Sequence, residues 1–273
     1  MIQKANGHYA PINGLQLYYE VYGPTGAGTP LILLHGGVGS IEMFHPSLPI
    51  LSQGRQVVAV DLQGHGRTAD IVRPLQYELM GDDIAALIKH LKFEQADIMG
   101  YSLGGGVGLR TAIQHPLMVR KLIVVSAPFK RNGWYPEILK TSRQMKTDVA
   151  ESMKKMPHYS IYAKIAPRPQ DWPILISKLG ELISHDYDWC VEAAALKQPV
   201  MIVVGDADAV RTSHTVECFE LLGGGKQDAG WEGLKRPISH LAIMPGINHY
   251  NIVFTPALAT MVTPFLDAPM PRK

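Results

Sequence analysis

The residues from Gly100 to Gly104 are the first candidates for chemistry, because they place one hydroxyl between two glycines in the pattern G-x-S-x-G. This pattern is typical of a serine nucleophile on a sharp turn from a strand to a helix. The flanking glycines leave the turn uncrowded, and the N-terminus of the following helix favours developing negative charge. The pattern therefore predicts that Ser102 acts as a nucleophile.

A serine hydroxyl needs a base to accept its proton, and His249 is the histidine whose position fits that role. It follows the strand-like run HLAIMPG and should lie at the same sheet edge as Ser102. A carboxylate must orient the base, and VVGDADAV offers Asp206 and Asp208 at the end of the preceding strand-like run. The resulting order Ser…Asp…His is the order known for hydrolases of one fold.

These residues need a scaffold that brings several strand ends to one edge, and the hydrophobic pattern provides one. An alternation of strands and helices predicts an α/β fold with a mostly parallel twisted sheet, flanking helices and right-handed crossovers. The strand-like runs are a hairpin at 12–23 and residues 31–35, 57–60, 96–100, 122–128, 200–205 and 240–246, and the helix-like runs are residues 77–91, the glycine-rich stretch that ends at 115, and the C-terminal segment.

Residues 129–198 interrupt this alternation, because they contain helical fragments broken by prolines and no strand-like run. A stretch of about 70 residues is too long for an ordinary connection and should have its own structure. We therefore predict two domains: an α/β core of residues 1–128 and 199–273, and an inserted helical cap of residues 129–198. The cap should lie over the carboxyl edge of the sheet, where ligands bind in open α/β folds.

The predicted cap is rich in aromatic and methionine side chains, which favour an apolar pocket. We expect Trp134 and Trp172 of the cap, with Val38 and Tyr101 near the nucleophile, to contact the substrate. The cap residues behind this prediction are Trp134, Tyr135, Met145, Met153, Met156, Tyr159, Tyr162 and Trp172.

Composition excludes several other classes of protein. With 26 basic and 24 acidic residues and a net charge of +2, the chain shows no basic cluster, so we expect no nucleic-acid partner. No run of about 18 apolar residues predicts a membrane span, and the start MIQKANGHYA has no apolar segment of a secretory signal. Cys190 and Cys218 lack metal-site spacing and predict free thiols in a cytoplasmic protein. We expect neither a metal nor another cofactor.

Along nearly its whole length the sequence resembles the α/β-hydrolases. The resemblance rests on five motifs in the family's order: LLHGG at 33–37, DLQGHGRT at 61–68, GYSLGG at 100–105, GDAD at 205–208 and PGINH at 245–249. It implies an α/β-hydrolase fold with a catalytic triad. Because the family's acid is usually the last aspartate of G-x-x-D, the resemblance implies Asp208 as the acid, with Asp206 the weaker candidate. It also implies an oxyanion hole formed by the N–H groups of Gly37 and Leu103.

The nucleophile narrows the activity that the resemblance implies. Haloalkane dehalogenases and epoxide hydrolases of this fold use aspartate, so a serine implies an acyl-enzyme. The first interpretation is a serine carboxylesterase or lactonase that acts on a small to medium apolar substrate. A carbon–carbon bond hydrolase of the meta-cleavage type usually has a longer glycine-rich loop than residues 35–40, and a perhydrolase usually has an aromatic residue where Gly37 stands. A ligand receptor on the same fold would show near-stoichiometric hydrolysis.

Overall fold

An eight-stranded sheet forms the centre of the computed structural model, which describes residues 6–142, 145 and 147–271. The strands are β1 (Asn6–Ile12), β2 (Leu15–Tyr22), β3 (Leu31–Leu34), β4 (Val57–Val60), β5 (Ala96–Tyr101), β6 (Val119–Val125), β7 (Val200–Ala207) and β8 (His240–Asn248). Their order in the sheet is β1-β2-β4-β3-β5-β6-β7-β8. The hairpin β1–β2 joins β4 in antiparallel pairing, whereas β4, β3 and β5 to β8 pair in parallel.

Local sequence explains the ends and the centre of this sheet. The hairpin turns at Asn13 and Gly14, whose φ angles of 47° and 87° suit a primed turn that matches strand twist. Every residue of β3 and β4 is buried, as expected for central parallel strands covered on both faces. The predicted α/β architecture is therefore confirmed.

Ten α-helices accompany the described part of the sheet. They are α1 (Leu48–Leu51), α2 (Tyr77–His90), α3 (Leu103–Gln114), α4 (Pro136–Ser142), α5 (Thr147–Met153), α6 (Pro157–Ile165), α7 (Trp172–Ser184), α8 (Cys190–Ala194), α9 (Thr212–Leu221) and α10 (Pro256–Asp267). Alternate side chains of a strand enter opposite cores. Thus Leu31 and Leu33 pack in the core that includes α1 and α10, whereas Ile32 and Leu34 pack in the core that includes α2 and α3.

Helices α4 to α8 lie between β6 and β7, within the range predicted as a cap. Helix α7 is fastened to a loop of the sheet region: Lys178 Nζ donates to Asp70 Oδ2 at 2.5 Å and to the carbonyls of Ile71 and Arg73. Residues 1–5, 143, 144, 146, 272 and 273, which fall in the predicted core and cap ranges, lie outside the described residues. The division into two domains stays a prediction.

Within the described ranges, no helix combines the length and the apolar character needed to cross a bilayer.

Candidate active site

Ser102 forms the turn between β5 and α3, because β5 ends at Tyr101 and α3 begins at Leu103. Its φ of 52° and ψ of −113° are unusual for a residue with a side chain, and such strain is found mainly at functional sites. The turn also requires glycine on both sides. A Cβ on Gly100 would lie 2.0 Å from the carbonyl oxygen of Gly104, and a Cβ on Gly104 would lie 2.1 Å from that of Leu34.

The structure brings Ser102, His249 and Asp208 together in one hydrogen-bonded line. Ser102 Oγ lies 3.2 Å from His249 Nε2, and His249 Nδ1 lies 3.0 Å from Asp208 Oδ1. Burial opposes ionisation of Asp208, but hydrogen bonds from His249 and Ser126 outweigh it and lower the pKa of that carboxyl. Because a carboxylate only accepts, Nδ1 carries the proton, which leaves the Nε2 lone pair for the serine hydroxyl. The arrangement can therefore take a proton from Ser102.

Asp206, the weaker candidate for the acid, lies elsewhere. Its Oδ2 accepts the N–H of Gly246 at 3.0 Å, and its Oδ1 accepts the N–H of Ile247 at 3.3 Å. The exposed Asp206 carboxylate thus holds the end of β8 that leads to His249, and the structure gives it no hydrogen bond to the imidazole.

Ser126 is a site residue that sequence reasoning missed. It is fully buried directly after β6, and its hydroxyl donates to Asp208 Oδ2 at 2.5 Å. The N–H groups of Gly205 and Val210 also donate to this carboxylate, each at 3.1 Å. The only sequence signal was a serine at the end of a strand that neighbours β7, the strand before Asp208.

We expect Ser126→Ala to lower kcat/KM roughly 10- to 100-fold, because it removes a charge-assisted hydrogen bond from the Asp208 carboxylate. The Ser126 hydrogen bond is one of the contacts that lower the pKa of Asp208, so its loss should raise that pKa, and the acid limb of the pH–kcat/KM profile should move to higher pH as Asp208 is protonated. Ser47→Ala is the matched control, since Ser47 is another fully buried serine and its hydroxyl has no hydrogen-bond partner. A folded Ser126→Ala variant with an unchanged profile would contradict this role.

Gly37 and Leu103, whose N–H groups are predicted to bind an oxyanion, both line the cavity at Ser102. Leu103 opens α3, and Gly37 lies in the loop after β3; neither N–H has a hydrogen-bond acceptor among the described residues. His35 shapes this loop. Burial lowers its pKa to about 4, so its neutral ring accepts the N–H of Leu62 at Nε2 and donates from Nδ1 to the carbonyl of Gly36.

A cavity of about 370 Å³, called here the active-site cavity, opens at these groups. Its lining is mainly apolar, and polar atoms are carried by Ser102, Thr141, His158, His249, the hydroxyls of Tyr77, Tyr101 and Tyr250, and the indole of Trp134. It includes the predicted contacts Val38, Tyr101 and Trp134 and three methionines of the predicted cap, Met145, Met153 and Met156. The sequence did not point to Met43, Tyr77, Ile138, Thr141, His158, Leu179, Ile183, Ala209, Tyr250 or Phe254, which also line it.

Of the predicted substrate contacts, Trp172 lies outside the cavity lining, and Tyr101 has a further role beside lining it. Trp172 does not line the active-site cavity: it is 1% exposed, its ring packs against Tyr159 and Tyr162, and its Nε1–H donates to the carbonyl of Ala150. The large Trp172 side chain therefore packs between helices and stabilises their arrangement. Tyr101 borders the cavity, but its hydroxyl donates to the carbonyl of His249 at 2.7 Å and so also fixes the histidine.

Trp134 and Trp172 therefore form a matched pair for a test of the cavity wall. We expect Trp134→Ala to change the relative kcat/KM among esters of different size by roughly 10- to 200-fold, since the indole borders the cavity 5.4 Å from the His249 ring. Trp172→Ala should instead cost about 3–5 kcal/mol of unfolding free energy and keep the substrate ranking. The reverse pattern, in ester kinetics and thermal denaturation, would contradict this division of roles.

Comparisons with known proteins agree with this architecture. A family model described as alpha/beta hydrolase fold matches residues 29–170, just over half of the chain. The chain is 29% identical over 204 residues to the AB hydrolase superfamily protein YisY of Bacillus subtilis (strain 168), a match that covers 68% of this chain and 76% of that protein. It is 36% identical over 120 residues to the putative carbamate hydrolase RutD of Caulobacter sp. (strain K31), covering 43% of this chain and 42% of that protein.

Further curated relatives are likewise matched over less than half of their length. Among solved structures, the carboxylesterase CesB (YbfK) of Bacillus subtilis has a TM-score of 0.73 at 19% identity, covering 97% of this chain and 92% of that chain. At this level of identity, the similarity to the carboxylesterase structure shows a shared fold alone.

Proposed function

The chain belongs to the α/β-hydrolase family, and from that membership we propose that it is a serine hydrolase that cleaves carboxylic esters or lactones with small to medium apolar groups. The observation that carries the proposal is the hydrogen-bonded line of Ser102, His249 and Asp208 at the border of an apolar cavity. The resemblance of the sequence to serine-nucleophile members points to the same chemistry.

The proposed reaction proceeds through an acyl-enzyme. Ser102 Oγ attacks the carbonyl carbon while its proton moves to His249 Nε2, and the Asp208 carboxylate stabilises the imidazolium. The tetrahedral intermediate collapses, and the proton on His249 passes to the departing alcohol oxygen. Water then attacks the acyl-enzyme, His249 takes its proton, and the second collapse returns that proton to Ser102 and releases the acid.

The free N–H groups of Gly37 and Leu103 support this proposal, because the intermediate carries a negative oxygen that needs donors. Each donor of an oxyanion hole is typically worth about 2.7–4 kcal/mol of transition-state stabilisation. The position of Leu103 at the start of α3 adds the favourable end of the helix dipole.

The lining of the active-site cavity supports an uncharged substrate. Among the described residues that border it, none is a lysine, arginine, aspartate or glutamate. A substrate bearing a carboxylate would need a cationic partner in so apolar a space, so this lining does not favour a carboxylate-bearing carbon–carbon bond substrate. The names of a curated relative, a putative carbamate hydrolase, and of a structural neighbour, a carboxylesterase, are consistent with attack on an ester-like carbonyl.

A panel of p-nitrophenyl esters of graded acyl length, run beside simple lactones, tests the proposal. We expect many turnovers per enzyme, with the highest kcat/KM among short to medium acyl chains that fit a cavity of about 370 Å³. Near-stoichiometric release of p-nitrophenol would instead support a ligand receptor, and no release from any ester or lactone would overturn the proposal.

A further inference from the structure

One face of α7 lies against two loops of the sheet region. Leu175 Cδ1 lies 3.6 Å from the position that a Cβ on Gly64 would take, and the two methyl groups of Leu179 lie 3.7 and 3.9 Å from the corresponding position at Gly37. Leu175 and Leu179 are four residues apart and therefore share one face of the helix. This face of α7 thus contacts the residue whose N–H is predicted to bind the oxyanion.

The loop after β3 depends on its neighbours for its conformation. Val38 has a φ of 53°, which is unusual for a branched side chain, so surrounding contacts must hold the backbone there. A Cβ on Gly36 would lie 2.7 Å from the Tyr101 ring, so that residue is confined on one side. At Gly37 the atoms nearest to a Cβ position all belong to Leu179. A shift of Leu179 would therefore free the peptide at Gly37.

Lys178, the residue before Leu179, fixes α7 to residues 70–73. Its ammonium group donates to Asp70 Oδ2 at 2.5 Å, to the carbonyl of Ile71 at 2.9 Å and to the carbonyl of Arg73 at 2.7 Å, so all three of its N–H donors are used. The side chains of Lys178 and Asp70 are only 18% and 11% exposed, so water and salt screen this ion pair less than a surface pair. These bonds set the position of α7 against the loop.

We propose that Lys178 is a positioning residue for the hydrolytic reaction: through Leu179 it holds the Gly37 N–H where the oxyanion forms. Lys178 itself does not line the active-site cavity, whereas Leu179 does. A donor stabilises the oxyanion only at about 2.7–3.1 Å from the oxygen that carries the developing charge, so a small displacement of Gly37 weakens the transition state more than substrate binding. This inference rests on the proposed function, because it names a further residue of the same site.

Lys178→Met tests the inference, because methionine keeps a long apolar side chain but donates no hydrogen bond. We expect kcat for the best p-nitrophenyl ester to fall roughly 10- to 100-fold with little change in KM, since the lost interaction acts in the transition state. The inhibition constant of a trifluoromethyl ketone, whose adduct with Ser102 carries an oxyanion, should rise by a similar factor. If Lys178→Met does not fold, Asp70→Asn weakens the same ion pair from the loop side and should change both quantities in the same direction.

Two comparisons separate positioning from a general loosening of α7. Arg168→Met is the matched control, because Arg168 also donates to Asp70, at its carbonyl, but does not line the active-site cavity; both quantities should stay unchanged. Leu179→Ala should itself lower kcat, and adding Lys178→Met should cause little further loss, since the two residues act through one contact. With an active wild type, an unchanged kcat in Lys178→Met, an equal loss in Arg168→Met or additive losses in the double variant would overturn the inference alone. No hydrolysis of plain esters by the wild type would overturn the proposed function.

Discussion

Replacement of Ser102 by alanine is expected to lower kcat about 10⁶-fold, because the three groups of a triad act as a unit and the nucleophile has no substitute. The residual rate should come from the N–H groups of Gly37 and Leu103 and from substrate binding alone. Steady-state kinetics on the best p-nitrophenyl ester measures the loss. Thermal denaturation should show a folded variant, since the change removes one oxygen from a half-buried side chain.

Ser126→Ala is the matched control for this experiment, since it removes a hydroxyl from the same group of hydrogen bonds and should lose at most about 100-fold. A folded Ser102→Ala variant that keeps more than a few per cent of the wild-type rate would show that Ser102 is not the nucleophile.

Asp208→Asn should lower kcat roughly 10⁴-fold, by the precedent of the serine protease triad. An asparagine no longer presents a carboxylate to His249 Nδ1, so it neither fixes the tautomer nor stabilises the imidazolium. Asp206→Asn should have a much smaller effect, because Asp206 holds the N–H groups of Gly246 and Ile247 and not the imidazole. Kinetics of the two variants on one substrate compares them directly.

A larger loss of activity in Asp206→Asn than in Asp208→Asn would contradict the assignment of Asp208. If Asp206→Asn is the more damaging change and both variants fold, then Asp206, not Asp208, orients the base in solution.

The sheet and the motif positions were predictable because they depend on short-range patterns. Continuous apolar runs such as residues 57–60 predict central strands, and the structure has β4 at those residues. Ser102 and His249 could be proposed because each follows such a run, and the carboxyl ends of parallel strands meet at one edge. The choice of Asp208 over Asp206 needed the family's spacing, since either aspartate could follow β7.

Side-chain directions in the predicted cap were not predictable. Trp134 and Trp172 look alike in sequence, but one borders the active-site cavity and the other is buried between helices. Short helices broken by prolines carry no periodic pattern long enough to assign an inner face. The apolar composition of this segment predicted a pocket, but it did not indicate which residues would form the wall.

The backbone strain at the site could not be predicted from the sequence either. Val38, Ser102 and Ser126 have φ angles of 53°, 52° and 52°, and they follow β3, β5 and β6, three neighbouring strands. Positive φ normally favours glycine, so no propensity rule assigns it to valine or serine. Val38 and Ser102 line the active-site cavity and Ser126 contacts Asp208, so these angles reflect constraints of tertiary structure, which also explains why Ser126 was missed.

The most direct test of the central claim is to locate the covalent adduct formed by a fluorophosphonate, a reagent that traps activated serine hydroxyls. After inactivation, trypsin should release residues 93–110 as one peptide, because Lys92 and Arg110 bound it, and fragmentation can separate Tyr101 from Ser102. We expect one phosphonyl group per chain, on Ser102, in proportion to the activity lost, and none in Ser102→Ala. Full inactivation with the adduct on another residue would contradict the assignment of Ser102.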